Sequence, residues 1–207
     1  MVFSPSVPSR YRFTACILSF EENLAIKNAP PIVNYVSNNW GALQNKIDFF
    51  PGLLGFTEIM ENKGLKLSSK VISQSVITPD KHMCEKLRIP ESENVIFTQR
   101  LRLADNEIIN IEKSYVPFSL CPKLLEADLS VESIYKLLTD EGYKPSKAEQ
   151  EVQAILSNHE LSEFLQINAD EPILKRRRVT YSKNTPIEYT CNYYRGDVYT
   201  MVMTINS

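Results

Sequence analysis

From Asp48 onward, apolar residues recur in short runs, some at strand spacing and some at helical spacing, with Gly, Pro, Asn and Asp punctuating the junctions. Residues 1–47 lack this pattern. They hold one strand-like run, Tyr11 to Phe20, and a helical stretch after Pro31, Val33 to Trp40, that its own Asn and Ser residues weaken. The pattern therefore divides the chain into an atypical N-terminal segment, 1–47, and a domain over 48–207.

Within that domain one pattern occurs twice. Leu87-Arg88-Ile89, Pro90 to Glu93 and Asn94-Val95-Ile96 on to Arg100 match Leu165-Gln166-Ile167, Asn168 to Glu171 and Pro172-Ile173-Leu174 on to Arg178, with the same spacing throughout. A helical stretch precedes each copy: Pro79 to Leu87 after Thr78, and His159 to Leu165 after Asn158, both preceding residues being suited to cap. A hairpin follows each, turning near Asp105-Asn106 and near Ser182-Lys183-Asn184. The strands after these turns carry Glu112 and Glu188, which read as equivalent positions of the two copies. Between the copies, Val131 to Leu138 has helical spacing and an acidic first turn that suits the helix dipole. Gly142 stands where a left-handed cap belongs. A helix plus antiparallel hairpin used twice predicts an α+β fold, an antiparallel sheet with helices on one side.

Composition narrows the function. Lys+Arg number 23 against 25 Asp+Glu, so the basic excess of a nucleic-acid-binding domain is absent. No apolar run approaches the roughly 20 residues that cross a bilayer, and Met1 to Ala15 lacks the features of a signal peptide, which places the expected protein in the cytoplasm. Cys16, Cys84, Cys121 and Cys191 are too scattered for a zinc or redox site and are expected as thiols. His82 and His159 have no partner at ligand spacing, so neither a metal nor a cofactor is expected. The basic run Lys175-Arg176-Arg177-Arg178 is split between two sheet faces by strand alternation, giving a solvated strand with one inward arginine rather than a basic patch.

Candidate chemistry centres on Arg100 and Arg102, whose alternate positions put both side chains on one sheet face. Two guanidiniums there repel unless carboxylates or an anion lie between them, and their forked donors suit phosphate or carboxylate. Two readings follow: a structural network with Glu112 and Glu188, or an anion site. Ser133 and Tyr135 stand at a helix start, where free N–H groups favour an anion or where Ser133 simply supports the helix end. Gly55, Phe56 and Thr57 are expected to add backbone and hydroxyl donors from a loop. Tyr194 covers a ligand or, with Tyr193 and Tyr199, packs in the sheet. In the Arg195-Gly196-Asp197 turn, Gly196 supplies a backbone shape unsuited to other residues and its neighbours are structural. Paired carboxylates also occur in glycosidases, yet no flanking motif supports that chemistry, and no nucleophile or proton relay is identifiable. No catalytic residue is assigned and no enzyme is expected.

These residues fall into a known order. Gly55-Phe56-Thr57-Glu58-Ile59-Met60 with Gly64, Arg100 to Asp105 with Glu112, Ser133-Ile134-Tyr135, Pro186-Ile187-Glu188, and Tyr194 to Tyr199 resemble the motifs SFTEDMxxxG, RxRxADxxPxxxE, SLY, PxE and YRGDRY. These are motifs of the effector-binding (UTRA) domain of HutC-subfamily GntR transcription regulators, and the resemblance runs from about Asp48 to Asn206. It implies a chorismate-lyase-like fold, a homodimer, and an effector site made of Gly55, Phe56, Thr57, Arg100, Arg102, Glu112, Ser133, Tyr135, Glu188 and Tyr194. It implies that Glu112 and Glu188 accept hydrogen bonds from ligand hydroxyls or an amine. With the arginines, this favours a small anionic metabolite, a phosphosugar first and an amino-acid-derived or other carboxylate second. Family members begin with a winged helix-turn-helix carrying LPSExxLA and VSRxTVRxAL, and residues 1–47 hold neither; only Gly41 to Ile47 sits where the wing would run into the sensing domain. The expectation is a sensing domain whose DNA-binding head is missing or disrupted, as by a frameshift. A stand-alone ligand-binding protein and an enzyme on the chorismate-lyase-like fold are the alternatives.

Overall fold

The computed structural model describes the backbone of Ile47–Phe49 and residues 66–201. Expectations placed on residues 1–46 and on Gly55, Phe56 and Thr57 lie outside the described residues. In chain order the elements are β1 (Ile47–Phe49), β2 (Leu67–Ile77), α1 (Lys81–Leu87), β3 (Val95–Ala104), β4 (Glu107–Pro117), α2 (Ile134–Asp140), β5 (Lys147–Leu156), α3 (His159–Leu165), β6 (Pro172–Ser182), β7 (Thr185–Arg195) and β8 (Tyr199–Met201). Two short 3-10 turns, Phe118–Leu120 and Pro122–Leu125, follow β4. Six strands form one antiparallel sheet in the order β2-β3-β4-β7-β6-β5, and β1 pairs with β8 in parallel.

Local chemistry sets the element ends. Asp105 and Asn106 take φ of 48° and 69°, the left-handed pair that a tight two-residue hairpin turn needs, and Lys183 takes φ of 54° in the second hairpin. Helix α3 opens under Asn158, whose Oδ1 accepts from the Leu161 N–H at 2.8 Å. Helix α1 opens at Lys81 rather than Pro79, because Asp80, not Thr78, caps it: its Oδ1 accepts from the Met83 N–H at 2.8 Å. Both helices stop at a left-handed residue, Arg88 with φ 53° and Gln166 with φ 55°. Helix α2 starts at Ile134, later than Val131, because Asp128, Ser130 and Glu132 hold the preceding residues in a turn of their own and Ser133 caps the helix. Gly142, with φ 89°, lies just past its end.

The two repeat copies, β2-α1-β3-β4 and β5-α3-β6-β7, meet at β4 and β7, so the sheet reads the same from either edge. Each copy carries a bulge. Arg102 pairs with Asn110 while Leu103 pairs with Ile108, leaving Ile109 extra. Thr180 pairs with Glu188 while Tyr181 pairs with Pro186, leaving Ile187 extra. The strand register corrects the sequence reading: Glu188, beside its bulge, corresponds to Asn110, and the counterpart of Glu112 is Thr190.

The sheet has two unlike faces. Met83 and Leu87 of α1 pack on Val95, Val179 and Tyr189, and Leu161 and Leu165 of α3 pack on Leu101, Ile111 and Ile173. The repeat helices thus share one side, as the repeat predicts. On the opposite side α2 and the 3-10 turns cover one end, with Leu124, Leu129, Ile134 and Leu138 against Ile96 and Val116. Tyr194 and Tyr199 cluster with Ala104 and Ile109 at the other end. Each fully buried leucine in these clusters contributes about 2 kcal/mol. The strip of sheet between the two clusters is buried and polar.

Candidate functional site

Strand alternation delivers that strip. Arg100 of β3, Glu112 of β4, Asn192 of β7 and Arg176 of β6 are successive Cα partners across the sheet. Arg102, Asn110 and Tyr194 form the next row. Arg100 and Arg102 are each only 3% exposed and Arg176 8%. Arg176 is the inward arginine of the basic run; Arg178 is half-buried and donates through Nε and Nη2 to Gln150 Oε1 at 3.1 and 2.7 Å.

Arg100 and Glu112 form a closed pair. Arg100 Nε donates to Glu112 Oε1 at 3.0 Å, Nη2 donates to the same oxygen, and Nη1 donates to the Leu129 carbonyl at 3.2 Å. Burial alone would raise the Glu112 pKa, but Arg100 and Arg102 outweigh it and hold the carboxyl at about 2. Burial brings Arg102 down to about 10, which leaves it protonated at neutral pH. Glu188 behaves oppositely. Buried, and accepting from Ser114 Oγ at 2.6 Å, its carboxyl is pushed up by burial to about 7. Tyr135 OH and Thr180 Oγ1 lie 2.9 Å apart beside it, and burial raises the Tyr135 phenol. Three buried guanidiniums therefore face one carboxylate that is ionised at neutral pH and one that titrates near neutrality. Among the described residues the strip is net positive, and buried charge of one sign calls for an opposite charge.

Two side chains that sequence reasoning passed over stand in the middle. Asn110 and Asn192 are fully buried, and neither the Nδ2 nor the Oδ1 of either has a hydrogen-bond partner. Thr98 Oγ1, Thr190 Oγ1 and Arg176 Nε share that condition. Each such group costs about 1–3 kcal/mol when buried unsatisfied. Their one signal in the sequence is even spacing from Arg100, Glu112 and Glu188, which puts them on the same face.

The structure brings Arg100, Arg102, Glu112, Tyr135, Glu188 and Tyr194 to one face. Tyr194 is fully buried in the sheet floor, stacked on Tyr199 with centroids 3.9 Å apart, and the Arg176 guanidinium lies 5.0 Å from its ring centroid. The Ser133 hydroxyl accepts from the Lys136 N–H as the cap of α2. At the strip's border Arg195 is tied to Asp197, Glu107 and the Ile108 carbonyl. Gly196 is required by proximity: a Cβ there would sit 2.4 Å from the Pro172 carbonyl oxygen. Among the described residues no three His, Cys, Asp or Glu side chains converge as metal ligands. A cleft of about 470 Å³ opens on the opposite face, where α1 meets β5 and β6, and its lining mixes Lys86, Arg88 and Arg177 with Glu85, Glu149 and Glu151. It shares no buried charge with the strip.

Residues 62–200 match the UTRA domain. Over 153 residues the chain is 32% identical to the HTH-type transcriptional repressor NagR of Bacillus subtilis, covering 73% of this chain and 63% of that protein. Over 156 residues it is 30% identical to the HTH-type transcriptional regulator GmuR of the same organism, covering 74% and 64%. The chain thus spans less than two thirds of these curated relatives. Among solved structures, the effector domain of PhnF from Mycobacterium smegmatis superposes with a TM-score of 0.74 at 22% identity, over 78% of this chain and 100% of that one, a likeness of fold.

Proposed function

Because this chain belongs to the UTRA domain family, the effector domains of GntR-type transcription regulators, we propose that it senses a small anionic metabolite on the polar strip of its sheet. The observation that carries this reading is the excess of buried positive charge, three guanidiniums against one firmly ionised carboxylate. An incoming anion neutralises it. Glu188 and the buried amides add acceptors and donors that a bare carboxylate leaves unpaired and sugar hydroxyls satisfy, which favours a phosphosugar over an amino-acid-derived carboxylate. Gly55, Phe56, Thr57, Ser133 and Tyr135 supply further contacts in this reading, and residues 48–207 form the sensing domain.

The relatives are transcription regulators, and we assign no reaction to the strip. In the whole regulator, a cytoplasmic homodimer in this reading, effector binding shifts the population between forms of different DNA affinity. Arg102 is the most direct test. Calorimetric titration of the full chain with glucosamine 6-phosphate and with glucosamine, which lacks the anionic group, should show binding of the phosphate only, and Arg102→Ala should weaken it about tenfold or more. Equal affinity for the two sugars, or an unchanged affinity in Arg102→Ala, refutes the anion site.

A further inference from the structure

The strip has a second pole. Arg102 and Arg176 reach in from β3 and β6, with β4 and β7 between them, so their backbones stand three strand spacings apart, roughly 14 Å. Arg100 is already committed to Glu112. No carboxylate among the described residues lies within ion-pair distance of Arg176, its Nε has no hydrogen-bond partner, and its guanidinium leans over the Tyr194 ring. Asn110 and Asn192 occupy the ground between the poles on the two central strands, wholly buried, with every side-chain donor and acceptor unpartnered. A folded sheet with only structural duties would place apolar residues of similar shape at such positions. Here buried, unpartnered amides stand beside a buried guanidinium that reaches the Tyr199 phenol but has no carboxylate in ion-pair reach.

We propose that Arg176, Asn110 and Asn192 form a second polar subsite, so that the effector carries an anionic group at each end and hydroxyls between, the chemistry of a phosphorylated sugar acid. The proposal rests on the anion-sensing reading above and narrows it. One anionic group lies against Arg102 and the other takes the forked donors of Arg176. The amides, each with donor and acceptor, bridge the hydroxyls between. A plain hexose phosphate fills one pole and leaves the other guanidinium buried without an anion.

Titration of the full chain with a matched pair, glucose 6-phosphate and 6-phosphogluconate, tests it. The expected result is at least tenfold tighter binding of 6-phosphogluconate, with Arg176→Leu weakening 6-phosphogluconate about tenfold more than it weakens glucose 6-phosphate and so removing that advantage. Asn192→Leu supplies a variant that guards against misfolding. It replaces an unpartnered amide by an apolar group of similar shape, so its melting temperature should equal or exceed that of the parent while 6-phosphogluconate binding falls at least fivefold. Equal affinity for the two probes in the parent chain overturns the second subsite and leaves the anion site standing. So does an Arg176→Leu variant that weakens both probes alike, or an Asn192→Leu variant that melts lower with affinity unchanged. Binding of neither probe by a chain that binds glucosamine 6-phosphate overturns the second subsite and leaves the anion site standing.

Discussion

Glu112 and Glu188 lie on neighbouring central strands, yet their surroundings drive them apart. Glu112 is depressed to about 2, chiefly because Arg100 and Arg102 overcome its burial, whereas burial with only a Ser114 hydroxyl for compensation lifts Glu188 to about 7. The consequences for stability have opposite signs. A depressed carboxyl contributes stability above its unfolded pKa, near 4.5, that is lost as pH falls toward about 2. A raised carboxyl holds its proton longer when folded, so its contribution declines as pH rises from about 4.5 through about 7. Glu188→Gln should therefore flatten the decline in thermal stability between pH 5 and 8 and make the variant more stable than the parent at pH 8, by up to about 3 kcal/mol. Parallel melting curves for the two chains across that range contradict the assignment. Period-two alternation made Arg100 and Arg102 legible as a pair on one face. Asn110 and Asn192 were not legible, since asparagine in a strand ordinarily reads as solvated or as a turn residue, and their burial becomes visible only when α2 and the tyrosine cluster close over the two ends of the strip.

Among the elements, the repeat was readable because its caps and turns recur in the same chemistry. Asp80 and Asn158 accept from Met83 and Leu161 at the same distance, 2.8 Å, and Arg88 and Gln166 close both helices in the left-handed region. The start of α1 shifted because Thr78-Pro79 imitates a cap followed by a first-turn proline, while the stronger acceptor, Asp80, stands two residues after Thr78. The bulges at Ile109 and Ile187 were hidden for a different reason. A bulge adds a residue without changing residue type, and both stand at the same place after their turns. Glu112 and Glu188 looked equivalent because each is a carboxylate on the strand after its turn, although the spacing that aligns Arg100 with Arg178 sets Glu112 against Thr190. Each seven-residue helix depends heavily on its cap, being too short to hold itself. Asp80→Ala and Asn158→Ala should each cost about 1 kcal/mol in urea unfolding with an unchanged m-value, and a loss below a few tenths in both would show the caps to be incidental.

At the scale of the molecule, neither copy makes the strip alone. Arg100, Arg102, Asn110 and Glu112 come from one copy, Arg176, Glu188 and Asn192 from the other, and the β4–β7 pairing joins them. The resemblance in the sequence was legible in part for the same reason, since Arg100 to Ala104, Glu112, Pro186 to Glu188 and Tyr194 lie on these strands. Its effector was not, because specificity resides in buried groups whose partners arise from tertiary packing. A site divided between two halves of one sheet should be lost with the sheet, in one step. The described clusters that cover both faces draw on residues from 66 onward, and β1, at Ile47–Phe49, is the earliest described strand to pair. A chain beginning at Lys46 should therefore give a single cooperative melt, with near-ultraviolet and far-ultraviolet circular dichroism lost together, and bind glucosamine 6-phosphate within about threefold of the full chain. Saturating that ligand at a hundred times its Kd should raise the stability of both chains by about 2.7 kcal/mol. A shortened chain that keeps far-ultraviolet signal but loses near-ultraviolet signal and binding would show that residues 1–45 complete the core, and the division at residue 47 would fall.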